Sequence, residues 1–164
     1  MLGTAITYNG FTINNQAAQP LYEGQSPYYY IMVNNVDGLY TADISYESHP
    51  IPNAPAEKSG DVFRRGKTLT LSGYIYGSTL KNLEIGASVL HQMFGSTTSA
   101  GPISWTRRSD GVAVYMTVRP QQDLSIAESF DSMTRRWAWV VGLRADNPFT
   151  YAVSGGALYP SWQT

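Results

Sequence analysis

Alternation with a period of two dominates the chain and predicts strands. Ile6 and Tyr8 precede Asn9-Gly10, and Phe11 and Ile13 follow it, which predicts a tight hairpin. Residues 14–26 are polar and aperiodic and predict a loop. Pro27 then leads into the β-rich run Tyr28-Tyr29-Tyr30-Ile31-Met32-Val33, which Asn34-Asn35-Val36-Asp37-Gly38 is expected to break. Over 39–47, Ala42, Ile44 and Tyr46 share one face of a weaker strand, opposite Asp43, Ser45 and Glu47. The segment from Ser48 to Asp61 carries Pro50, Pro52 and Pro55 and predicts a long, stiff loop, because proline cannot donate to a ladder. A loop of that length inside a compact domain calls for a function, and an arm that reaches a neighbouring subunit is the expectation.

After the basic turn Arg64-Arg65-Gly66-Lys67 comes the clearest strand, residues 68–76. Leu69, Leu71, Gly73 and Ile75 point one way; Thr68, Thr70, Ser72, Tyr74 and Tyr76 point the other. Leu80, Leu83, Ala87, Leu90 and Phe94 then recur at spacings of three and four, predicting one amphipathic helix over about 79–94. Ser78 or Thr79 would cap it and Gly95 would end it. Gly86 inside that helix costs about 1 kcal/mol relative to alanine, and a close packing contact would account for it. Strands 103–108 and 112–119 flank the turn Ser109-Asp110-Gly111, with an extension past Pro120 towards Ile126. A last strand, 136–144, places Trp137, Trp139, Val141 and Leu143 on one face. The pattern divides the chain into one mainly β domain, 1–152, and an irregular tail, 153–164.

Composition changes this picture in one respect. The 164 residues are 43% hydrophobic and 13% aromatic, with 12 Tyr and 4 Trp. Only 14% are charged, against about 25% in a typical soluble protein. Aromatic enrichment together with charge depletion is the signature of a surface that is covered in the working state. The formal net charge of −1 argues against a dedicated nucleic-acid-binding domain. With no cysteine there is neither a disulfide framework nor a thiolate metal site. No apolar run reaches the length of a membrane-spanning helix, and Met1-Leu2-Gly3-Thr4 does not open a secretory leader, so synthesis in a cytoplasm is expected.

Catalytic chemistry finds no support in the residues. His49 and His91 have no second histidine or cysteine nearby, so a zinc site is not expected and no cofactor is implied. The carboxylate pairs Asp43/Glu47 and Glu128/Asp131 fit solvated positions at strands and turns better than an acid–base pair. Neither a nucleophile elbow nor a phosphate loop occurs. What remains are three arginine pairs beside turns: Arg64-Arg65, Arg107-Arg108 and Arg135-Arg136. Arginine survives burial when it meets a carboxylate in bidentate fashion. The candidate interface residues are therefore Pro50, Pro52, Pro55, Arg64, Arg65, Lys67, Arg107, Arg108, Arg135 and Arg136.

Gly38-Leu39, the basic turn running into Thr68-Leu69-Thr70-Leu71, the helix ending near Phe94 and Leu143-Arg144-Ala145-Asp146-Asn147-Pro148-Phe149 together resemble the distal tail proteins of siphophages. The resemblance covers residues 37–152 and extends loosely to tail tube proteins. It implies a mainly β, tail-tube-like sandwich with one flanking helix and a hexameric ring around a channel through which DNA passes without specific binding. It further implies a tail tube protein on one ring face, a tip, hub or fibre protein on the other, no membrane, and a place in the virion at the tail tip or baseplate. Residues 48–66 would be the inter-subunit arm. The carbohydrate-binding-like C-terminal domain common in the family is not expected here. Two alternatives compete: a tail tube subunit, and a sugar-binding module using Trp105, Trp137, Trp139 and Trp162 as stacking platforms.

Overall fold

The computed structural model describes residues 4–14, 29–39, 66–95, 100–129, 135–147 and 149–152, and the backbone of 44–50 and 57–64. The first hairpin forms as the sequence predicts. β1 (Ile6–Tyr8) pairs antiparallel with β2 (Phe11–Ile13), and Asn9 and Gly10 take φ of 49° and 78°, the left-handed pair that a two-residue turn requires. β3 (Tyr29–Asp37) does not break at Asn34-Asn35; a register shift between Val33 and Asn35 absorbs the extra residue as a bulge, and the strand continues.

The expected long loop is largely a β-hairpin. β4 (Ile44–Pro50) pairs with β5 (Glu57–Arg64), from Ile44 opposite Arg64 to Pro50 opposite Glu57. Pro50 stands at the last position of its strand, where a missing donor is tolerated. Its first strand overlaps the weaker strand expected over 39–47, whereas most of its second strand falls in the segment expected to be a loop. Its two strands form a sheet of their own, and among the described residues neither pairs with the main sheet. Pro52 and Pro55 lie outside the described residues, as do residues 40–43.

β6 (Lys67–Gly77) is the central strand, pairing with β3 on one side and with β9 (Arg136–Ala145) on the other. Gly73 is dictated by close approach: a Cβ there would lie 1.8 Å from the Met32 carbonyl oxygen at the β3 bulge. α1 (Leu80–Leu90) starts with Thr79, whose hydroxyl accepts from the Asn82 N–H at 3.3 Å. The helix is shorter than the 79–94 expected. It passes into a single π-helical turn, His91–Gly95, and Gly95 is not left-handed, so the glycine C-cap does not form. The wider turn carries Met93 and Phe94 into the core.

β7 (Gly101–Thr106) and β8 (Ala113–Ala127) form the expected second hairpin, and β8 does run past Pro120, with register shifts on either side of Gln122. The short β10 (Tyr151–Ala152) pairs with β8 at Tyr115 and Val114. The strand order β2-β1-β7-β8-β9-β6-β3 describes a sheet that folds over at β8. Residues 113–118 of β8 belong with β7 and residues 119–127 with β9. The two free ends meet where the Asn14 N–H donates to the Ile31 carbonyl at 2.9 Å. The protein is mainly β and sandwich-like, with one flanking helix, as expected.

Between the two halves lies one continuous core. Phe94 occupies its centre, stacked on Tyr8 from β1 at 5.5 Å and on Trp139 from β9 at 6.2 Å. Leu69, Leu71, Ile75, Trp137, Val141 and Leu143 fill the space from the four-stranded side; Ile6, Ile103, Trp105, Val114 and Met116 fill it from the other. α1 packs on β6 and β3, and Gly86 permits this, since a Cβ there would lie 2.5 Å from Ile75 Cγ2.

Candidate interface

The four strands β3, β6, β9 and the second half of β8 present two faces, fixed by alternation. One face holds the core and is covered by α1, β1, β2 and β7. The other is bare. It carries Thr70, Ser72 and Tyr74 from β6, and Ala138 and Val140 from β9, while Gly142 on the same side is buried under the Gln122 side chain. A shallow hollow of about 280 Å³ crosses all four strands, bordered by Asn34, Ser72, Tyr74, Ser125, Ala138 and Val140. Val140 is 39% exposed there, which is unusual for a large aliphatic side chain in mid-sheet. Among the described residues no charged one borders the hollow.

The lateral edges of this sheet are also open. β7 accompanies β8 only as far as Val118, so on that side residues 119–127 have no strand partner among the described residues. At the opposite edge, Asn14 covers only the middle of β3. It donates from Nδ2 to the Thr4 carbonyl at 2.8 Å and accepts from the Val33 N–H at 3.3 Å. Asn34–Asp37 have no further strand neighbour among the described residues. Asn14 is 5% exposed and holds φ of 58°. Sequence reasoning left it in a loop; a lone asparagine just after a strand, able to adopt a left-handed turn, was the one available signal.

The candidate residues scatter around this sheet. Arg136 opens β9 and lies over the Tyr74 ring at 4.7 Å, on the bare face, with the Tyr76 ring 6.2 Å from that of Tyr74. Arg135 is exposed beside it. At the far end of the same face, Asp146 takes Arg119 at 3.1 Å and Arg144 at 3.5 Å. Arg107 turns inward on its own hairpin and ion-pairs with Asp110, whose carboxyl is held below the usual range by the Val112 N–H and by Arg107. Arg108 is exposed in that turn. Arg64 ends β5, and Arg65 lies outside the described residues.

Lys67 is placed differently from the surface cation the basic turn suggested. It is 6% exposed, and its Nζ donates to the Leu39 carbonyl at 2.6 Å, tying the start of β6 to the segment after β3. Burial pushes its pKa down. Trp105, Trp137 and Trp139 are 6%, 3% and 2% exposed, so these three cannot serve as stacking platforms for a sugar. Trp162 lies outside the described residues.

No family model matches the sequence, and no curated protein matches it either. Solved structures do. SPP1 Dit (gp 19.1), a paradigm of the hub adsorption apparatus in phages infecting Gram-positive bacteria, superposes with a TM-score of 0.63 at 12% identity. The match covers 91% of this chain and 52% of that one. The chain has the fold of a phage tail hub protein. It spans about half the length of that hub protein. Lower similarity is found to the sheath–tube complex of an extracellular contractile injection system (TM-score 0.47, 14% identity, 93% and 90% of the two chains). The tube-terminating cap of the anti-feeding prophage is comparable (0.45, 16%, 94% and 90%).

Proposed function

We propose that the protein is a structural component of a phage tail, a distal hub whose copies close into a ring between the tail tube and the tip. One observation carries this: a four-stranded sheet that, among the described residues, has both lateral edges open, one face bare and the other covered by the rest of the domain. Unpaired edges template pairing with another chain. β8 of one copy set beside β3 of the next continues the antiparallel alternation, since β3, β6, β9 and β8 already alternate in direction. Each copy offers two different edges, so the contact is heterologous, and it gives a ring when the rotation from copy to copy closes. The bulk of α1, β1, β2 and β7 then has to lie outside, which turns the bare face to the channel. Six copies, the number the family resemblance implies, would bring about 24 strands round a circumference of roughly 115 Å, or about 37 Å between opposite backbones. The β4–β5 hairpin is the arm that reaches a neighbouring subunit. The function is mechanical and needs neither a catalytic group nor a cofactor.

Proline scanning of the β8 edge tests this. Ser125→Pro and Ile126→Pro remove adjacent donors, one aimed at β9 and one at the open edge. The expected result is that one variant loses its fold, while the other keeps its native circular dichroism and no longer forms a ring. A folded variant that still assembles would contradict edge pairing.

A further inference from the structure

The bare face differs at its two ends. At the Asp146 end, Arg119 and Arg144 share that one carboxylate, which offsets one of their two charges. At the other end Arg136 lies over Tyr74, Arg135 adjoins it, and among the described residues neither has an ion-pair partner. Glu128, one residue beyond β8, is exposed and forms no ion pair with either arginine among the described residues. Between the two ends the hollow is uncharged.

We infer that Arg136, supported by Tyr74 and joined by Arg135, forms a phosphate-contacting collar at one mouth of the channel, and that its partner is the backbone of duplex nucleic acid. This rests on the ring proposed above, which repeats the pair around the axis and points it at whatever passes. The guanidinium stacked on a tyrosine ring is held in place without a carboxylate, which leaves its N–H groups for an anion. Phosphate contacts carry no base information, so the collar is indifferent to sequence. The middle of the wall, uncharged among the described residues, adds no second grip there, and at the far end Arg119 and Arg144 are already engaged by Asp146. The slight acidity of the whole chain does not oppose this, because the field in a concave channel is set by the charges that line it.

The test uses the full chain, with its mass measured in the same sample, and a short fluorescent blunt-ended DNA duplex followed by anisotropy across a salt series. Ring-sized protein should bind the duplex, with affinity falling steeply as salt rises. Arg136→Glu should weaken binding on the order of tenfold or more at low salt, Arg136→Lys much less, and Arg108→Glu, in the β7–β8 turn away from the wall, not at all. A ring that does not bind, or binds equally with Arg136→Glu, overturns the collar and leaves the ring standing. Polyglutamate binding as tightly as the duplex, with the same Arg136 dependence, overturns nucleic acid as the partner. A native monomer overturns the ring and the collar together.

Discussion

Asn14 and Lys67 are small parts of the chain that fasten large ones. Asn14 joins the two ends of the folded-over sheet through bonds to Thr4, Ile31 and Val33. Asn14→Gly keeps the left-handed backbone but removes the side-chain bonds and leaves the buried Val33 N–H without its acceptor. A loss of about 2–3 kcal/mol in urea unfolding is expected, larger than a backbone effect alone would give. Lys67 gives a pH signature. Burial lowers its folded pKa below the 10.5 of the unfolded chain, so the unfolded state holds more protons between those two values. Stability should therefore rise with pH through that window, and Lys67→Met should lack the rise. Chemical denaturation below pH 10 checks this, because burial also raises the pKa of Tyr29 and Tyr30 above 10.0, and their ionisation at higher pH favours unfolding.

At the scale of elements, legibility followed burial. β6 and β9 were readable because each has one face in a core, so every second residue had to be apolar. The strands of the β4–β5 ribbon pair, among the described residues, only with each other, and alternation marked just the start of β4 at Ile44 and Tyr46. The helix was readable in its stripe but not in its end, because the π-turn is set by Phe94 reaching the space between Tyr8 and Trp139, a tertiary demand. Gly86 shows the same logic. Alanine would favour the isolated helix by about 1 kcal/mol, yet a Cβ at 2.5 Å from the fully buried Ile75 forces α1 off β6. Gly86→Ala should lower stability by about 1–3 kcal/mol, seen as a lower thermal midpoint, and a neutral or stabilising result would show that the helix can shift freely. The arginine pairs were visible as residues, but their roles were not. Which arginine meets Asp110, Asp146 or Tyr74 depends on register and on the fold at β8, and neither is written locally.

For the whole molecule, composition and architecture point the same way. The scarcity of charge and the abundance of tyrosine fit a sheet whose uncovered face is uncharged at its centre and whose two lateral edges lack partners among the described residues, which a monomer would leave exposed to aggregation. A ring covers both edges and turns the face to an internal channel. The most direct test is the native mass of the purified protein by light scattering, with negative-stain images of the same peak. A single species of about six subunits with a central hole is the expected result. A native, monodisperse monomer across the accessible concentration range would contradict the account, and rings that stack on themselves into long tubes would replace the hub with a tail tube subunit.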